Sequence, residues 1–445
     1  MAESATARSL LRGEVRFLKD ASSIDRSLAD PAVTERVSAM LLAIESGGMD
    51  AIRRYSEDLD SWSPASFRAG SHELEAARDA VDPGVRQRLA LGLERVRRFA
   101  ELQLESVADL ENEIAPGLIV GHRHVPIGRV GAYLPAGHRP LMASAFMTVL
   151  VPKVAGVETV LACTPPQTGG PGHPAMLHTA DLCGADAVFS LGGVQAVAAM
   201  AFALEDEAPV DMIVGAGNAY VTEAKRQLFG RVGIDLLAGP SEITVIADDR
   251  ADAELVAADL LGQAEHGPTS PASLVCFSAG FGQQVIDEVE RQLDELPDAD
   301  VARQAWTDQG AVLVVGDREE AAQVADALAP EHLEVHAEDE AWWLERLRNY
   351  GSLFLGSLTT VAFSDKGVTG TNHVLPTRRA ARYSGGLSAL RFLKTLTYQR
   401  VMDPEASRPL AEAVAEISAA EGLPAHGATA TRRLARLDRG REVTS

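Results

Sequence analysis

The residues with the clearest potential for chemistry lie near the end of a predicted helix, in Asp259-Leu-Leu-Gly-Gln263-Ala-Glu265-His266-Gly267-Pro268. Gln263 and His266 are three positions apart, and residues at this spacing are neighbours on a helix surface. An imidazole beside an amide oxygen could hold a divalent metal if other parts of the chain supply more ligands. The Gly-Pro pair predicts the end of the helix. The first question is therefore which further ligands exist.

A second group of reactive residues occurs in Pro330-Glu331-His332-Leu333, directly after another predicted helix. The carboxyl end of a helix raises the pKa of a nearby imidazole. A carboxylate beside an imidazole is also typical of a general base that activates water. A charged loop at a helix end has the same composition, and the tetrapeptide taken alone favours that simpler interpretation.

Further ligands for a metal come from two other places. The polar loop Asp365-Lys-Gly-Val-Thr-Gly370-Thr-Asn-His373 supplies a carboxylate, and Glu421 and His426 supply another carboxylate and imidazole. Together with Gln263 and His266, Asp365 and His426 would make a nitrogen and oxygen site suited to zinc or manganese. The spacing in the sequence does not show that these residues meet.

Glycines fall at three points where a predicted strand gives way to a helix or loop. Backbone N–H groups at such turns can bind phosphate when the amino terminus of a helix follows. None of the three is a GxGxxG fingerprint, so structural turns are the favoured interpretation, and Asn218 and Ser241 have a simple role as helix caps or turn residues. The turns are Gly192-Gly193, Gly215-Ala216-Gly217-Asn218 and Gly239-Pro240-Ser241.

The elements that must position these residues change in type along the chain. Residues 1 to about 125 are predicted to be mostly helical, with amphipathic segments at 31–47, 72–80 and 83–104. From His124 onward, short β-branched runs alternate with helical ones, which is typical of βαβ units and parallel sheets. Strands are predicted at 128–134, 159–163, 187–191, 211–214 and 234–237, and then at 243–247, 273–277, 311–315 and 352–355.

These patterns predict an α/β protein with two tandem Rossmann-like domains. Residues 1–128 and 243–386 are expected to form the first domain with its helical amino-terminal region, and residues 129–242 the second. Residues 387–445 are predicted to be a helical tail, including a helical segment around 390–401. A tail of this size is small for an independent core, so we expect it to pack on a neighbour or on another subunit.

Composition excludes several classes of function. The 445 residues are 46% hydrophobic and 23% charged, as in ordinary globular proteins, and the formal net charge is -22. Nucleic acids and anionic membranes are bound by basic surfaces, so this charge argues against both as partners. Three widely spaced cysteines predict neither a disulfide framework nor a CxxC metal site. With no apolar signal segment expected near the amino terminus, we expect a cytoplasmic protein.

The chemical residues lie within motifs that together resemble those of the histidinol dehydrogenase family. The resemblance runs from roughly residue 10 to 436, and an ordered set is far more specific than any single motif. The segments are Val130-Gly-Ala-Tyr133-Leu-Pro-Ala-Gly, Gly192-Gly-Val-Gln195-Ala, Gly215-Ala-Gly-Asn218-Ala-Tyr, Ala238-Gly-Pro-Ser241-Glu, Gln263-Ala-Glu-His266-Gly-Pro, Ala329-Pro-Glu331-His332-Leu, Gly370-Thr-Asn-His373-Val-Leu-Pro-Thr and Glu421-Gly-Leu-Pro-Ala-His426.

The resemblance implies an oxidoreductase that uses Zn²⁺ and NAD to oxidise a primary alcohol to a carboxylate in two hydride transfers. It also implies a homodimer with shared active sites, in which residues 129–242 bind NAD and the tail is exchanged between subunits. It implies that Gln263, His266, Asp365 and, from the partner subunit, His426 bind both the metal and the substrate. Glu331 and His332 are implied to be catalytic, and His332 also to contact the substrate. The implied cofactor contacts are Tyr133, Gln195 and Asn218, and the further implied substrate contacts are Ser241 and Glu421.

Departures from the family pattern bear on the substrate. Ala143 stands where members acting on histidinol usually have a small hydroxylated residue, and Val361 stands where they have a glutamate. Lys366 follows the expected aspartate ligand. The segment Arg379–Leu387, followed by Arg391–Gln399, resembles the branch that oxidises sulfopropanediol to sulfolactate. We therefore expect a small anionic diol as substrate, with L-histidinol as the alternative and a catalytically silent metal-binding scaffold as a third hypothesis.

Overall fold

Runs of aliphatic residues form the central strands, and they are buried because parallel sheets are covered on both faces. The computed structural model describes residues 16–21, 30–136 and 139–444. The chain forms two compact units: the first comprises Ile127–Phe392 and the described part of Met1–Leu104, and the second comprises Glu105–Pro126 and the described part of Leu393–Ser445. Within the described residues, no helix is long and apolar enough to cross a membrane.

The first unit contains a five-stranded, wholly parallel sheet. Its strand order is β6-β5-β4-β7-β8, so the chain begins at the centre and moves to one edge before crossing to the other. Most of the strand residues are completely buried, as expected for a sheet between helices. The strands are β4 (Arg129–Tyr133), β5 (Thr159–Thr164), β6 (Ala187–Ser190), β7 (Met212–Val214) and β8 (Gly233–Ile234).

The same unit contains a six-stranded sheet in the order β1-β11-β10-β9-β12-β13. Five strands are parallel, and β1 is an antiparallel edge strand. The strands are β1 (Arg16–Lys19), β9 (Ile243–Ala247), β10 (Ala272–Cys276), β11 (Gly310–Val314), β12 (His332–His336) and β13 (Ser352–Leu355). Both sheets agree with the predicted mixed α/β class.

Helices cover these sheets, and the apolar side of each helix faces a hydrophobic core. The first spans Pro31–Asp60 and is broken at Gly48, where φ is 53°. The others in this unit are Ser71–Ala80, Pro83–Glu105, Val151–Val154, Pro174–Leu182, Gly193–Phe202, Ala219–Leu228, Ala253–Ala264, Ala279–Glu295, Asp300–Gln309, Arg318–Leu328, Glu340–Arg346 and Val361–Asp365, with a π-helical turn at Phe146–Leu150 and 3₁₀ turns at Ala380–Arg382 and Ala389–Phe392.

The second unit combines a small antiparallel sheet with two helices. The strand order is β14-β3-β2, formed by β2 (Leu110–Ala115), β3 (Leu118–Pro126) and β14 (Leu393–Val401). The helices Pro404–Ala420 and Pro424–Thr444 follow. Leu410, Val414 and Ile417 are exposed at helical spacing on the first of these helices. This unit therefore presents an apolar helix face to solvent.

Several sequence predictions were wrong. The segment at 393–401, predicted as part of a helix, forms a strand because it pairs with the distant residues 118–126. Residues 110–126 form strands within the region predicted to be mostly helical, and the charged residues of β2 hid its strand pattern. Residues 146–154 form a π-helical turn followed by a short helix, and Pro152 cannot donate a helical hydrogen bond. Strand β12 was not predicted, because polar residues alternate along it.

The predicted domain boundaries stay a prediction, although the described units divide the chain at other points. The residues before Arg16, which bear on the expected absence of a signal segment, lie outside the described residues. His138, which follows Tyr133 in the sequence, also lies outside them. The three cysteines are free and buried.

A buried ion pair stabilises the turn that follows β7, and loss of this pair should destabilise the first unit. Lys225 and Asp235 are paired with side chains that are 2% and 1% exposed, and Lys225 Nζ also donates to the Gly215 carbonyl at 2.9 Å. Lys225→Met leaves a buried, unpaired carboxylate, so we expect the free energy of unfolding to fall by about 3 kcal/mol. Urea unfolding would measure the change.

Lys153→Met is the matched control, because Lys153 pairs with Asp186 at a partly exposed position. Its effect should stay below about 1 kcal/mol. Equal losses for the two variants would contradict the role of the buried pair.

Candidate active site and metal centre

Gln263 is a buried amide without a hydrogen-bond partner. It lies in the last turn of the helix Ala253–Ala264, which begins at the cap Asp252, and only 2% of the residue is exposed. Neither its Oε1 nor its Nε2 atom has a partner among the described residues. An unsatisfied buried amide costs on the order of 1–3 kcal/mol. Such a group calls for a ligand.

His266 follows this helix and is oriented by it. Its Nδ1 lies 3.1 Å from the Gly262 carbonyl oxygen, so the tautomer that carries the proton on Nδ1 satisfies this contact. Nε2 then presents its lone pair on the other side of the ring. That atom lies 3.5 Å from Asp365 Oδ2. The helix end and the Asp365 segment therefore meet, which the spacing in the sequence could not show.

Asp365 ends the short helix Val361–Asp365 rather than lying in a loop. Burial alone would raise the pKa of its carboxyl, but the contact with His266 and the charges of His332 and His373 outweigh it and lower the pKa to about 2. His373 Nδ1 lies 3.1 Å from the Asp365 carbonyl oxygen. The carboxylate is thus held ionised and in place.

Glu331 and His332 lie at the start of strand β12. Glu331 Oε2 accepts hydrogen bonds from Ser241 Oγ at 2.6 Å and from the Glu242 N–H at 3.0 Å. Burial raises the pKa of the Glu331 carboxyl, and the charge of His332 and the two hydrogen bonds oppose that rise. Glu331 is therefore a buried carboxyl group whose pKa lies above its ordinary value.

His332 is oriented by a contact through its Nδ1 atom. Its Nδ1 lies 3.1 Å from the Glu242 carbonyl oxygen, which favours the tautomer protonated at Nδ1. Its Nε2 is buried and has no partner among the described residues. Nδ1 also lies 3.6 Å from Glu331 Oε2. A lone pair on Nε2 is then available to accept a proton.

These residues form one electrostatic group. The charge of Glu331 raises the pKa of His266, and the charge of His332 lowers that of Asp365. Ligands about 2.0–2.1 Å from a tetrahedral metal lie about 3.4 Å apart. The 3.5 Å separation of His266 Nε2 from Asp365 Oδ2 fits that spacing, and the unpartnered Gln263 supplies a third donor. The arrangement therefore suits a divalent metal.

The three residues expected to bind cofactor lie at the end of a strand or the start of a helix: Tyr133 ends β4, Gln195 lies in the first turn of the helix Gly193–Phe202, and Asn218 caps the helix Ala219–Leu228. The Tyr133 hydroxyl accepts from the Gly193 N–H at 3.2 Å; burial raises its pKa to about 12. Gln195 Nε2 donates to Asp60 Oδ2 at 2.8 Å, while its Oε1 is buried without a partner. Asn218 is exposed and its Oδ1 accepts from the N–H groups of two residues in the next helix. The predicted helix cap is therefore present.

Gly215 permits two of these turns to approach each other. Its φ is +114°, and a Cβ atom on it would lie 2.1 Å from the Tyr133 carbonyl oxygen. No other residue fits this contact without movement of the backbone. The turns after β4 and β7 are thus joined at the carboxyl edge of the sheet, where ligands bind in α/β folds.

The other expected site residues differ in setting. Glu421 and His426 belong to the second unit and are exposed. Ala143 and Val361 are buried in separate hydrophobic cores of the first unit. Their core positions weaken the argument that these two substitutions act directly on a substrate.

Comparison with known proteins places the chain in a family. The family model described as histidinol dehydrogenase matches residues 25–434. The chain belongs to the histidinol dehydrogenase family. It is therefore an oxidoreductase, and the family resemblance seen in the sequence motifs is confirmed.

Relatives in this family carry different names. The chain is 48% identical to a histidinol dehydrogenase homolog of Shouchella clausii, over 91% of this chain and 95% of the relative. It is 43% identical to the sulfopropanediol 3-dehydrogenase of Ruegeria pomeroyi, over 95% and 97% respectively. The crystal structure of histidinol dehydrogenase from Elizabethkingia anophelis superposes with a TM-score of 0.87 at 32% identity, covering 93% of this chain and 95% of that one.

Two contacts of this histidinol dehydrogenase family site were not assigned from the sequence. His373 supports Asp365 through its backbone, and burial lowers the pKa of the imidazole. Asp60 holds the Gln195 amide although it is 135 positions away. His373 stood in a recognisable motif and could have been included, whereas nothing near Asp60 signalled its partner.

The cap at Asn218 should control the stability of the helix Ala219–Leu228. Asn218→Ala removes the acceptor for the Tyr220 and Val221 N–H groups and should cost about 1 kcal/mol locally. Hydrogen exchange of the peptide that spans this helix should become faster. Asn218→Asp retains an acceptor and serves as the control, so equally fast exchange in both variants would argue against the cap.

Proposed function

We propose that the protein is a zinc- and NAD-dependent dehydrogenase that oxidises a primary alcohol, through the aldehyde, to the carboxylate. The observation that carries this proposal is the buried Gln263 amide, which has no partner among the described residues and lies three positions before His266, whose Nε2 is 3.5 Å from Asp365 Oδ2. These donors suit zinc. The buried Gln195 Oε1 and the turns around Gly215 offer a polar edge for a dinucleotide. Tyr133, Gln195 and Asn218 would line it.

The chain's residues account for the proton movements. Bound zinc would orient the substrate hydroxyl, and NAD would accept a hydride in each of two oxidations. His332 Nε2 takes the hydroxyl proton as the first C–H bond breaks. Glu331 accepts a proton from water as the water oxygen adds to the aldehyde, and His332 returns its proton to the aldehyde oxygen, which gives the hydrate. His332 then takes a hydroxyl proton of the hydrate during the second oxidation. One water and two NAD are consumed for each carboxylate formed.

We favour a small anionic diol such as sulfopropanediol as the substrate. Arg378 packs against Gly239, where a Cβ atom would lie 2.4 Å from Arg378 Nε. Gly239 is two residues before Ser241, which bonds to Glu331. Lys366 lies close enough to His373 to lower its pKa. Cations near the site favour an anionic group over the ammonium group of histidinol. The similarity to a sulfopropanediol 3-dehydrogenase supports the same choice.

L-Histidinol is the alternative substrate, because relatives named histidinol dehydrogenase are also similar to the chain. A catalytically silent metal-binding scaffold is the alternative of another class. The intact Glu331 and His332 pair, with its buried and unpartnered Nε2, argues against the scaffold.

A homodimer with shared active sites would complete the metal centre. His426 of the partner subunit would supply the fourth ligand, and its Glu421 would contact substrate. The exposed apolar face of Leu410, Val414 and Ile417 supports association through the second unit.

The substrate is tested by NADH formation with L-histidinol and with each enantiomer of sulfopropanediol. We expect turnover of sulfopropanediol, and Arg378→Met should raise its KM about tenfold by removing a charged contact. Arg382→Met, at an exposed position nearby, is the control and should change KM little. Turnover of histidinol alone would overturn the proposal that sulfopropanediol is the substrate. An unchanged rate in His332→Asn would support the silent scaffold.

The pH dependence of kcat should report the ionisation of the Glu331 carboxyl group. Ser241→Ala removes a hydrogen bond that stabilises the ionised carboxylate, so the pKa of Glu331 should rise further. If ionised Glu331 is the base, activity is lost as pH falls through this pKa, and the acidic limb of the kcat profile should move to higher pH. Ser241→Thr, which retains the hydroxyl, should restore the limb. Coincident profiles for the three proteins would count against this role.

Active sites shared between two subunits predict that two inactive variants restore activity when they are mixed. His332→Asn and His426→Ala homodimers should each be inactive, but random mixing gives mixed dimers in which one site has both residues. Recovery of about a quarter of the wild-type activity follows from symmetric pairing. Absence of recovery, with mixed dimers demonstrated by mass spectrometry, would place each site within one subunit.

A further inference from the structure

A second group of possible metal ligands lies outside the residues assigned to the reaction. Asp259, Glu334 and His336 each direct one ligand atom to a common point, with all three atoms within 4.8 Å of one another. His336 Nε2 lies 3.5 Å from Asp259 Oδ2 and 3.5 Å from Glu334 Oε2. These separations are close to the roughly 3.4 Å expected between ligands of a tetrahedral metal.

The group is buried and incompletely bonded. The side chains of Glu334 and His336 are 0% and 1% exposed, and Glu334 Oε2 and His336 Nε2 have no hydrogen-bond partner among the described residues. Glu334 Oε1 accepts from the Val361 N–H at 2.8 Å, which fixes the carboxylate with Oε2 toward the imidazole. Buried polar atoms are nearly always bonded, so these call for a bound partner.

Charge points to a cation as that partner. Burial and then the charge of Glu334 raise the pKa of Asp259 to about 7, because two carboxylates share one buried space. Two carboxylates and a neutral imidazole would balance one divalent cation. Nitrogen and oxygen donors suit zinc and related metals. The Asp259 side chain is 14% exposed and provides a way in for an ion.

We propose that Asp259, Glu334 and His336 form a second, structural binding site for a divalent transition metal such as zinc. The site lies behind the candidate active site on the same elements. Asp259 is one helical turn before Gln263, and His332, Glu334 and His336 share one face of β12. A metal here would fasten the helix that carries Gln263 to the strand that carries His332, without contact with substrate.

Metal counting tests this site independently of activity. Chelator-stripped wild-type protein titrated with Zn²⁺ should bind about two ions per chain, and Glu334→Gln or His336→Gln should bind about one. Glu254→Gln is the matched control, since it removes an exposed carboxylate from the same helix, and should bind as many as wild type. An unchanged count in His336→Gln would overturn the site in favour of a proton shared by the three groups. A wild-type count of one that falls to zero in His336→Gln would still support this site and would locate the failure at the first centre.

A second measurement keeps the cluster itself intact. The double variant His266→Asn, Asp365→Asn disables the first centre only. Loaded with Co²⁺, it should keep one ion with the visible absorption of a low-coordinate nitrogen and oxygen site, and its thermal midpoint should rise on loading. Failure to retain Co²⁺ would overturn the proposal. Because the readout is binding, an error in the proposed reaction or substrate would leave this result unaffected.

Discussion

Burial of polar groups at the start of β12 is the constraint on which the site depends. Glu331 and His332 lie where water is largely excluded, so each needs a fixed partner. Ser241 and Glu242 provide those partners from the segment just before β9, the neighbouring strand in the sheet. The parallel pairing of β9 with β12 therefore positions Glu331 and His332 directly, and among the described residues nothing bonds to the Nε2 atom of His332.

The sequence predicted most of the parallel strands, because each is a short aliphatic run between helical segments. It failed where the pattern is polar. Strand β12 alternates His, Leu, Glu, Val and His, and this alternation places three polar side chains on one face. The prediction of a helix at 393–401 failed for a related reason, since its pairing partners lie 267 to 283 positions away. Local propensity cannot report such pairing.

For the site, residue types in motifs were more informative than spacing. Asp365 lies about a hundred positions after Gln263 and His266 in the sequence. It comes close to His266 only because the Val361–Asp365 helix packs against the Ala253–Ala264 helix. The motifs could not show that Gln263 lacks a partner or that Ala143 and Val361 lie in hydrophobic cores. These facts depend on burial, which one sequence does not determine.

The same constraint explains how substrate preference can change while the catalytic pair is kept. Glu331 and His332 are bonded to the backbone and side chains of the Ser241 segment, so exchanging them would leave buried groups unpaired at a cost of several kcal/mol. Arg378 reaches the same segment from outside, through Gly239, and its backbone N–H bonds to Glu242. A cation can therefore be exchanged there without disturbing the inner bonds. Variation of substrate is easiest at this outer layer.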